Sequence, residues 1–157
     1  MIVVADTSPI RYLLLIEYID LLPQLYRKIA IPKRVYAELV APNAPDVVKV
    51  WANHLPSWVE VKTIAIQADL ALQRLDPGEQ EAILLAQELQ AELLLLDDKA
   101  GRQAALLRNL SVTGLLGMLD EAANLGLISR FEVADRLLKT NFRIAPGLLQ
   151  MFIKNNF

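Results

Sequence analysis

Ile2-Val3-Val4-Ala5-Asp6-Thr7-Ser8-Pro9 and Leu93-Leu94-Leu95-Leu96-Asp97-Asp98 share one logic. Each is a short run without a polar side chain, followed at once by acid. Such a run, too short for a helix and without alternation, reads as a strand buried on both faces, the pattern of a parallel sheet. Ser8 before Pro9 reads as an N-cap followed by a residue suited to the first helical position. An acid directly after a parallel strand stands at its carboxyl end, where open α/β sheets bind ligands. Two such strands deliver their acids to one edge.

Working outward, helical spacing continues through Leu13 and Ile16, and again through Ile19, Leu22 and Leu25. Ile29-Ala30-Ile31 is a second strand ended by Pro32, which opens a helix with Val35 and Leu39 on its inner face. The Pro-rich stretch 41–45 is a loop. Residues 47–55 form a weak helix, residues 58–61 alternate as a strand, and residues 66–75 form a helix. Asp76-Pro77-Gly78-Glu79 starts another, with Ala82, Ile83, Ala86 and Leu89 on one face. Beyond the leucine strand come a helix through Leu107, a strand over 110–113, and a helix from the Gly114/Gly117 region to Leu125, with Gly126 as C-cap. Two helices, 131–138 and 148–153, close the chain. Strands alternating with amphipathic helices imply a three-layer α/β/α sandwich on a short, mostly parallel sheet. Residues 1–157 are expected to form one domain, with about 130–157 as an appended packing or dimerisation element.

Composition narrows the chemistry. The 157 residues are 54% hydrophobic and 22% charged, enough apolar material for a core. Cysteine is absent, which removes disulfides, zinc-thiolate sites and thiol nucleophiles. One histidine, His54, leaves no His-rich metal site and reads as a surface or packing residue. The longest uncharged stretch is the eleven residues 109–119, short of the roughly 20 apolar residues of a membrane span. No basic segment precedes the first apolar run, so no signal peptide is expected. These features predict a soluble, cytoplasmic protein. The net charge of −2 hides local fields: residues 76–98 hold seven acids and no Lys or Arg, and residues 21–37 hold four bases and no acid. Those bases, Arg27, Lys28, Lys33 and Arg34, read as a solvated face that binds nucleic acid only if the acidic site lies nearby.

Helical geometry puts Glu79 on the same face as Ala82, Ile83 and Ala86, so its carboxylate points inward or along the rim of the core. Glu81 falls on another face, with Leu84, Leu85 and Glu88, and Glu38 lies at the edge of an inward face. Carboxylates gathered at one edge repel each other, and their pKa values rise unless a cation neutralises them. A hard divalent ion, Mg²⁺ or Mn²⁺, suits an oxygen-only ligand set. Such an ion activates water and stabilises phosphoryl oxygens, so the pattern suggests metal-dependent phosphate or phosphodiester chemistry.

Five motifs fall in order: Asp6-Thr7-Ser8-Pro9, Val35-Tyr36-Ala37-Glu38-Leu39, Gly78-Glu79-Gln80-Glu81-Ala82-Ile83, Leu96-Asp97-Asp98-Lys99-Ala100-Gly101-Arg102, and Val112-Thr113-Gly114-Leu115-Leu116-Gly117. Together with Gly126-Leu127-Ile128 and Phe142-Arg143-Ile144, they resemble the PIN-domain family, within it the DUF3368 branch of VapC-like toxin nucleases. The resemblance spans nearly the whole chain. It implies a parallel α/β/α sandwich that cleaves RNA with Mg²⁺ or Mn²⁺. By resemblance Asp6 is the first metal ligand, Glu38 matches the second acid, Glu79 the third, and Asp97 the fourth with Asp98 beside it. The family's Thr-x-Asp spacing is absent, since Leu95 and Leu96 stand at the Thr positions, and which of the pair is the ligand stays open. Ser8 matches a hydroxyl that helps hold water or phosphate at the site, and Arg102 is a candidate phosphate contact. The resemblance also implies a homodimer and a small antitoxin partner.

Plainer readings exist for each residue. Asp6 reads as a helix cap as well as a ligand. Asp76-x-x-Glu79 with Pro77 approximates a capping box, which the inward face of Glu79 weighs against. Asp97 and Asp98 suit a helix N-terminus, and Glu38 alone reads as a solvated helix residue. The alternative to a nuclease is a catalytically degenerate PIN-like module that binds protein or RNA. A haloacid-dehalogenase-type phosphatase expects a second Asp where Ser8 stands, and a receiver domain expects its acid pair near the first strand.

Overall fold

The structure, a computed structural model, describes residues 1–65 and 69–157. Five strands, β1 (Val3–Ala5), β2 (Ile29–Pro32), β3 (Val59–Lys62), β4 (Leu93–Leu95) and β5 (Val112–Thr113), form one sheet in the order β3-β2-β1-β4-β5. Every pairing is parallel, so the expected mostly parallel sheet is wholly parallel among the described residues. The helices are α1 (Thr7–Leu15), α2 (Leu21–Tyr26), α3 (Lys33–Leu39), α4 (Asp46–Ala52), α5 (Pro77–Glu88), α6 (Lys99–Leu107), α7 (Leu115–Asn124), α8 (Arg130–Leu138) and α9 (Pro146–Ile153).

The unalternating runs are strands because both sheet faces are covered. Val3 and Ala5 face one apolar layer, with α1, α2, α3, α4, α7, α8 and α9, whereas Val4 faces the other, with α5 and α6. Leu95 belongs to the first layer and Leu94 and Leu96 to the second. This is the period-two division of a strand between two apolar environments. The C-terminal helices dock on the first layer through Val133, Leu137 and Phe152, all buried.

Several expectations need correction. Helix α1 starts at Thr7, so Asp6 holds the N-cap position and Ser8 lies inside the first turn, with Pro9 one residue further on. A first turn leaves backbone N–H groups unbonded, which is why Pro9 is tolerated there. The helix expected over 66–75 is a 3₁₀ turn at Leu70–Leu72 among the described residues, and 66–68 lie outside them. The weak helix over 47–55 is the shorter Asp46–Ala52, leaving His54 exposed beyond its end. In α5 both faces reach apolar surroundings: Leu84 and Leu85, on the face of Glu81, are buried along with Ala82, Ile83 and Ala86. The expected C-cap at Gly126 is a Schellman turn. Gly126 has φ 76°, its N–H bonds to the Ala123 carbonyl at 3.0 Å, and the Leu127 N–H bonds to the Ala122 carbonyl at 2.9 Å.

Candidate active site

The strand order places the site. The chain leaves β1 to build β2 and β3 on one side, then returns to lay β4 and β5 on the other. The direction of winding therefore reverses between β1 and β4, and the crevice outside their carboxyl ends is where such sheets bind ligands. Asp6 follows β1 and Asp97 follows β4. Ala5 pairs with Leu95, and the Asp6 N–H continues the ladder to the Leu95 carbonyl at 2.9 Å. A cleft of about 1100 Å³ opens at this edge. Asp6, Ser8, Glu38, Glu79, Asp97, Asp98 and Arg102, all named from sequence, line it.

Asp6 and Glu79 are the buried charged residues among those described, at 6% and 7% exposure. Asp6 sits at the N-cap of α1, yet its side chain accepts no capping bond. Its carboxyl is pushed up to about 7, first by burial and then by the like charges of Glu38, Asp97 and Asp76, against the pull of the Thr7 N–H. Glu79 rises to about 8 through burial and the charges of Asp98 and Asp6, against a hydrogen bond from the Asp76 N–H. Capping and site readings of Glu79 prove compatible. Its Oε1 accepts from Asp76 N at 3.2 Å, and its Oε2 is buried without a partner among the described residues. A buried carboxylate oxygen with no donor is costly, and such orphans call for an explanation.

The remaining acids are held by hydroxyls and helix ends. Thr7 Oγ1 donates to Glu38 Oε1 at 2.7 Å, which draws a half-buried α3 side chain toward the start of α1. Ser8, instead of capping α1, donates from Oγ to Asp97 Oδ2 at 3.0 Å, and the Leu115 N–H donates to Asp97 Oδ1 at 2.6 Å. Burial raises the Asp97 pKa, and those two bonds together with the charge of Arg102 oppose the rise. Asp98 is exposed and caps α6, accepting from the Gly101 N–H at 2.8 Å. The adjacent acids thus do different things: Asp97 ties β4 to α1 and α7, and Asp98 caps while lining the cleft.

Sequence reading missed part of the site. Asp76 lines the cleft, as do Arg11 and Arg143. The basic run 21–37 does not: Arg27, Lys28, Lys33 and Arg34 are absent from the lining, and Arg34 instead faces Glu81, with Nε 3.8 Å from a carboxylate oxygen. Arg11 carried a usable signal, since it follows Thr7 and Ser8 by four and three residues and so shares their face of α1. Glycines give the acids room. A Cβ at Gly78 would strike the Glu38 carboxylate, one at Gly101 would stand 2.9 Å from Glu79 Oε2, and one at Gly114 would stand 2.8 Å from Asp97 Oδ1. Gly78 and Gly101 lie inside the first turns of α5 and α6, where glycine has no conformational advantage, and that placement was the signal; Gly114 is the N-cap of α7.

Among the described residues no three acids are gathered closely enough to count as a formed metal site. The donor set nevertheless fits a hard divalent cation. It is oxygen-only, two of its carboxylates are pushed toward neutral pH by burial and mutual repulsion, and one buried oxygen lacks a donor. A cation would relieve the repulsion that holds these groups apart.

A wholly parallel α/β/α sandwich with carboxylates at its switch point defines an acid-site α/β protein. More narrowly, the chain belongs to the PIN-domain family: the model of DUF3368, a PIN domain, matches residues 2–156. Proteins of this family are commonly nucleases and typically use divalent metals. Among solved structures the chain is similar to a PilT N-terminus domain protein from the hyperthermophilic archaeon Sulfolobus solfataricus P2, with a TM-score of 0.57 and 19% identity over 78% of this chain and 93% of that one. That likeness bears on the fold. No curated protein matches. Among the described residues no helix is long and apolar enough to cross a membrane.

Proposed function

We propose that this chain is a Mg²⁺- or Mn²⁺-dependent endoribonuclease of the VapC-like toxin kind, hydrolysing RNA phosphodiester bonds in the cytoplasm, acting as a homodimer and silenced by a small antitoxin. One observation carries the nuclease reading. Two carboxylates from distant parts of the chain, Asp6 and Glu79, are buried at the floor of one open cleft, and Glu79 Oε2 has no partner among the described residues. A fold does not bury unpartnered acid for stability. The family supplies the rest of the reading.

Asp6, Glu79, Asp97 and Asp98 are the proposed metal-holding residues, with Glu38 completing the acid set. A divalent cation held there supplies activation of water and stabilisation of the phosphoryl oxygens. The chain's own groups do the positioning. Thr7 orients Glu38, Ser8 and the Leu115 N–H orient Asp97, and the Gly101 N–H orients Asp98. Arg102 neighbours Asp97 and meets a phosphate entering the cleft. The alternative, a degenerate binding module, expects gaps in the acid set, and every acid named above lines the cleft.

Asp6→Asn is expected to abolish divalent-dependent RNA cleavage with an unchanged circular-dichroism spectrum. Cleavage at the wild-type rate would overturn the proposal. Titration calorimetry with Mn²⁺ separates the alternative, because a degenerate site shows no binding that Asp6→Asn removes.

A further inference from the structure

The proposed chemistry uses the acids of the cleft and leaves another part of its rim without a task. That rim is basic and aromatic: Arg11 and Tyr12 come from α1, and Phe142 and Arg143 from the segment joining α8 to α9. Arg34, Arg108, Arg130 and Arg136 are each committed to a carboxylate. Arg11 and Arg143 take part in no ion pair among the described residues, although the cleft they line is rich in acid. The Nε of Arg11 is also buried without a hydrogen-bond acceptor among the described residues. That nitrogen is closed to a ligand, but the terminal nitrogens of Arg11 make no hydrogen bond among the described residues and are not buried, so they suit an anionic oxygen from outside the chain.

The rim is fixed in place. Tyr12 donates its hydroxyl proton to Asn141 Oδ1 at 2.7 Å, and its ring meets Phe142 edge to face, with centroids 4.9 Å apart and planes at 68°. The Phe142 N–H donates to Thr140 Oγ1 at 3.2 Å. These contacts tie the segment after α8 to α1 and present Arg143, which is exposed, at the mouth of the cleft. A polyanion approaching this floor of carboxylates is repelled at every phosphate except the one neutralised there. Cations set to one side give the neighbouring phosphates a place to rest, and partly exposed rings beside them offer a surface to an unstacked base.

We propose that Arg11, Arg143 and the Tyr12–Phe142 pair form a strand-holding subsite for single-stranded nucleic acid, with phosphates on the two guanidiniums and an unpaired base against the rings. A duplex keeps its bases stacked inside and offers nothing to the rings. The subsite rests on the nuclease reading only for its orientation toward the acids, and its binding is measurable without cleavage.

The test is fluorescence anisotropy in EDTA, with a fluorescein-labelled unstructured oligonucleotide of about 12 nucleotides, made as RNA, as DNA and as an RNA duplex. Arg143→Gln and Arg11→Gln are each expected to weaken single-strand binding roughly tenfold and to reduce the slope of log Kd against log salt by about one. Phe142→Leu is expected to weaken it roughly fivefold or more while leaving that slope and duplex binding unchanged. Arg27→Gln, off the cleft, is expected to bind as wild type does. Losses shared by RNA and DNA support a subsite reading the common backbone and bases, and a loss confined to one narrows its ligand to that one. No single-strand binding by wild type, duplex binding of equal strength, or wild-type affinity in both Arg143→Gln and Phe142→Leu would overturn the proposal. Arg143 is exposed, so its variant is expected to melt as wild type does and to report on binding alone. If wild type binds through Arg143 but never cleaves with Mg²⁺ or Mn²⁺, the nuclease reading fails and the subsite stands. If it cleaves and both Arg143→Gln and Phe142→Leu bind normally, the reverse holds.

Discussion

Glu79→Gln should make the metal-free protein more stable at pH 8, an unusual direction for a buried substitution. The Gln side chain keeps an oxygen for the Asp76 N–H and places an NH₂ donor where the partnerless Oε2 now lies, among the carboxylates of Asp6 and Asp98. Folding raises the Glu79 pKa from 4.5 to about 8, so the folded state binds the proton more tightly than the unfolded chain. Stability from this group is therefore complete below about pH 4.5 and falls as pH climbs toward 8. At about 1.4 kcal/mol per pKa unit the full cost of ionisation approaches 5 kcal/mol, an upper bound because Asp6 titrates with Glu79. A recovery of about 2–4 kcal/mol is expected, or roughly 5–10 °C in Tm for a chain of this size. Differential scanning fluorimetry in EDTA from pH 5 to 8 reads it: the gap between variant and wild type should be widest at pH 8 and shrink to about 2 °C or less near pH 5. A variant that melts lower than wild type at pH 8, or a gap independent of pH, would refute the assignment of Glu79 as a buried, electrostatically strained acid.

Saturating Mg²⁺ or Mn²⁺ at pH 8 should raise the wild-type Tm by relieving the same repulsion, and a tenfold excess over Kd is worth about 1.4 kcal/mol; Glu79→Gln should respond less, as scanning fluorimetry in a metal titration will show. Gly78→Ala adds a methyl that displaces the Glu38 carboxylate from Thr7 while improving helix propensity by up to about 1 kcal/mol, so Tm should hold or rise and RNA cleavage should fall about tenfold or more. Arg130 donates to Asp120 Oδ1 at 2.7 Å, to Asn124 Oδ1 at 2.8 Å and to the Phe152 carbonyl at 3.0 Å, joining α7, α8 and α9. Arg130→Ala should therefore cost about 2–4 kcal/mol in urea denaturation. Phe152→Ala, which empties a fully buried position, should cost about 3–5 kcal/mol in the same assay.

Much of the site was legible before the fold. Asp6 and Asp97 follow runs without polar residues, and only a strand covered on both faces tolerates such a run, so their place at a strand end could be read directly. The inward turn of Glu79 followed from its spacing to Ala82, Ile83 and Ala86. Glu38 was legible only through the resemblance, because its orientation depends on a hydroxyl 31 residues away. Ser8 was misread as a cap because capping is local, and the winning partner, Asp97, arrives from another strand. Over residues 69–75 the expected helix failed for the opposite reason: apolar spacing over so short a segment does not distinguish an α-helix from a single 3₁₀ turn that tucks Leu72 into the second apolar layer.

The sequence alone determined the strand and helix alphabet, the absence of thiol chemistry, and the placing of acids after apolar strands, because each depends on near neighbours in the chain. The tertiary structure decided which acids share a cleft, that Asp97 binds Ser8 while Asp98 caps a helix, and that Arg11 and Arg143, rather than the basic run 21–37, stand beside them. Those outcomes follow from strand order. Laying β4 beside β1 joins segments about ninety residues apart, and electrostatic coupling, which falls with distance in space, takes no account of distance along the chain.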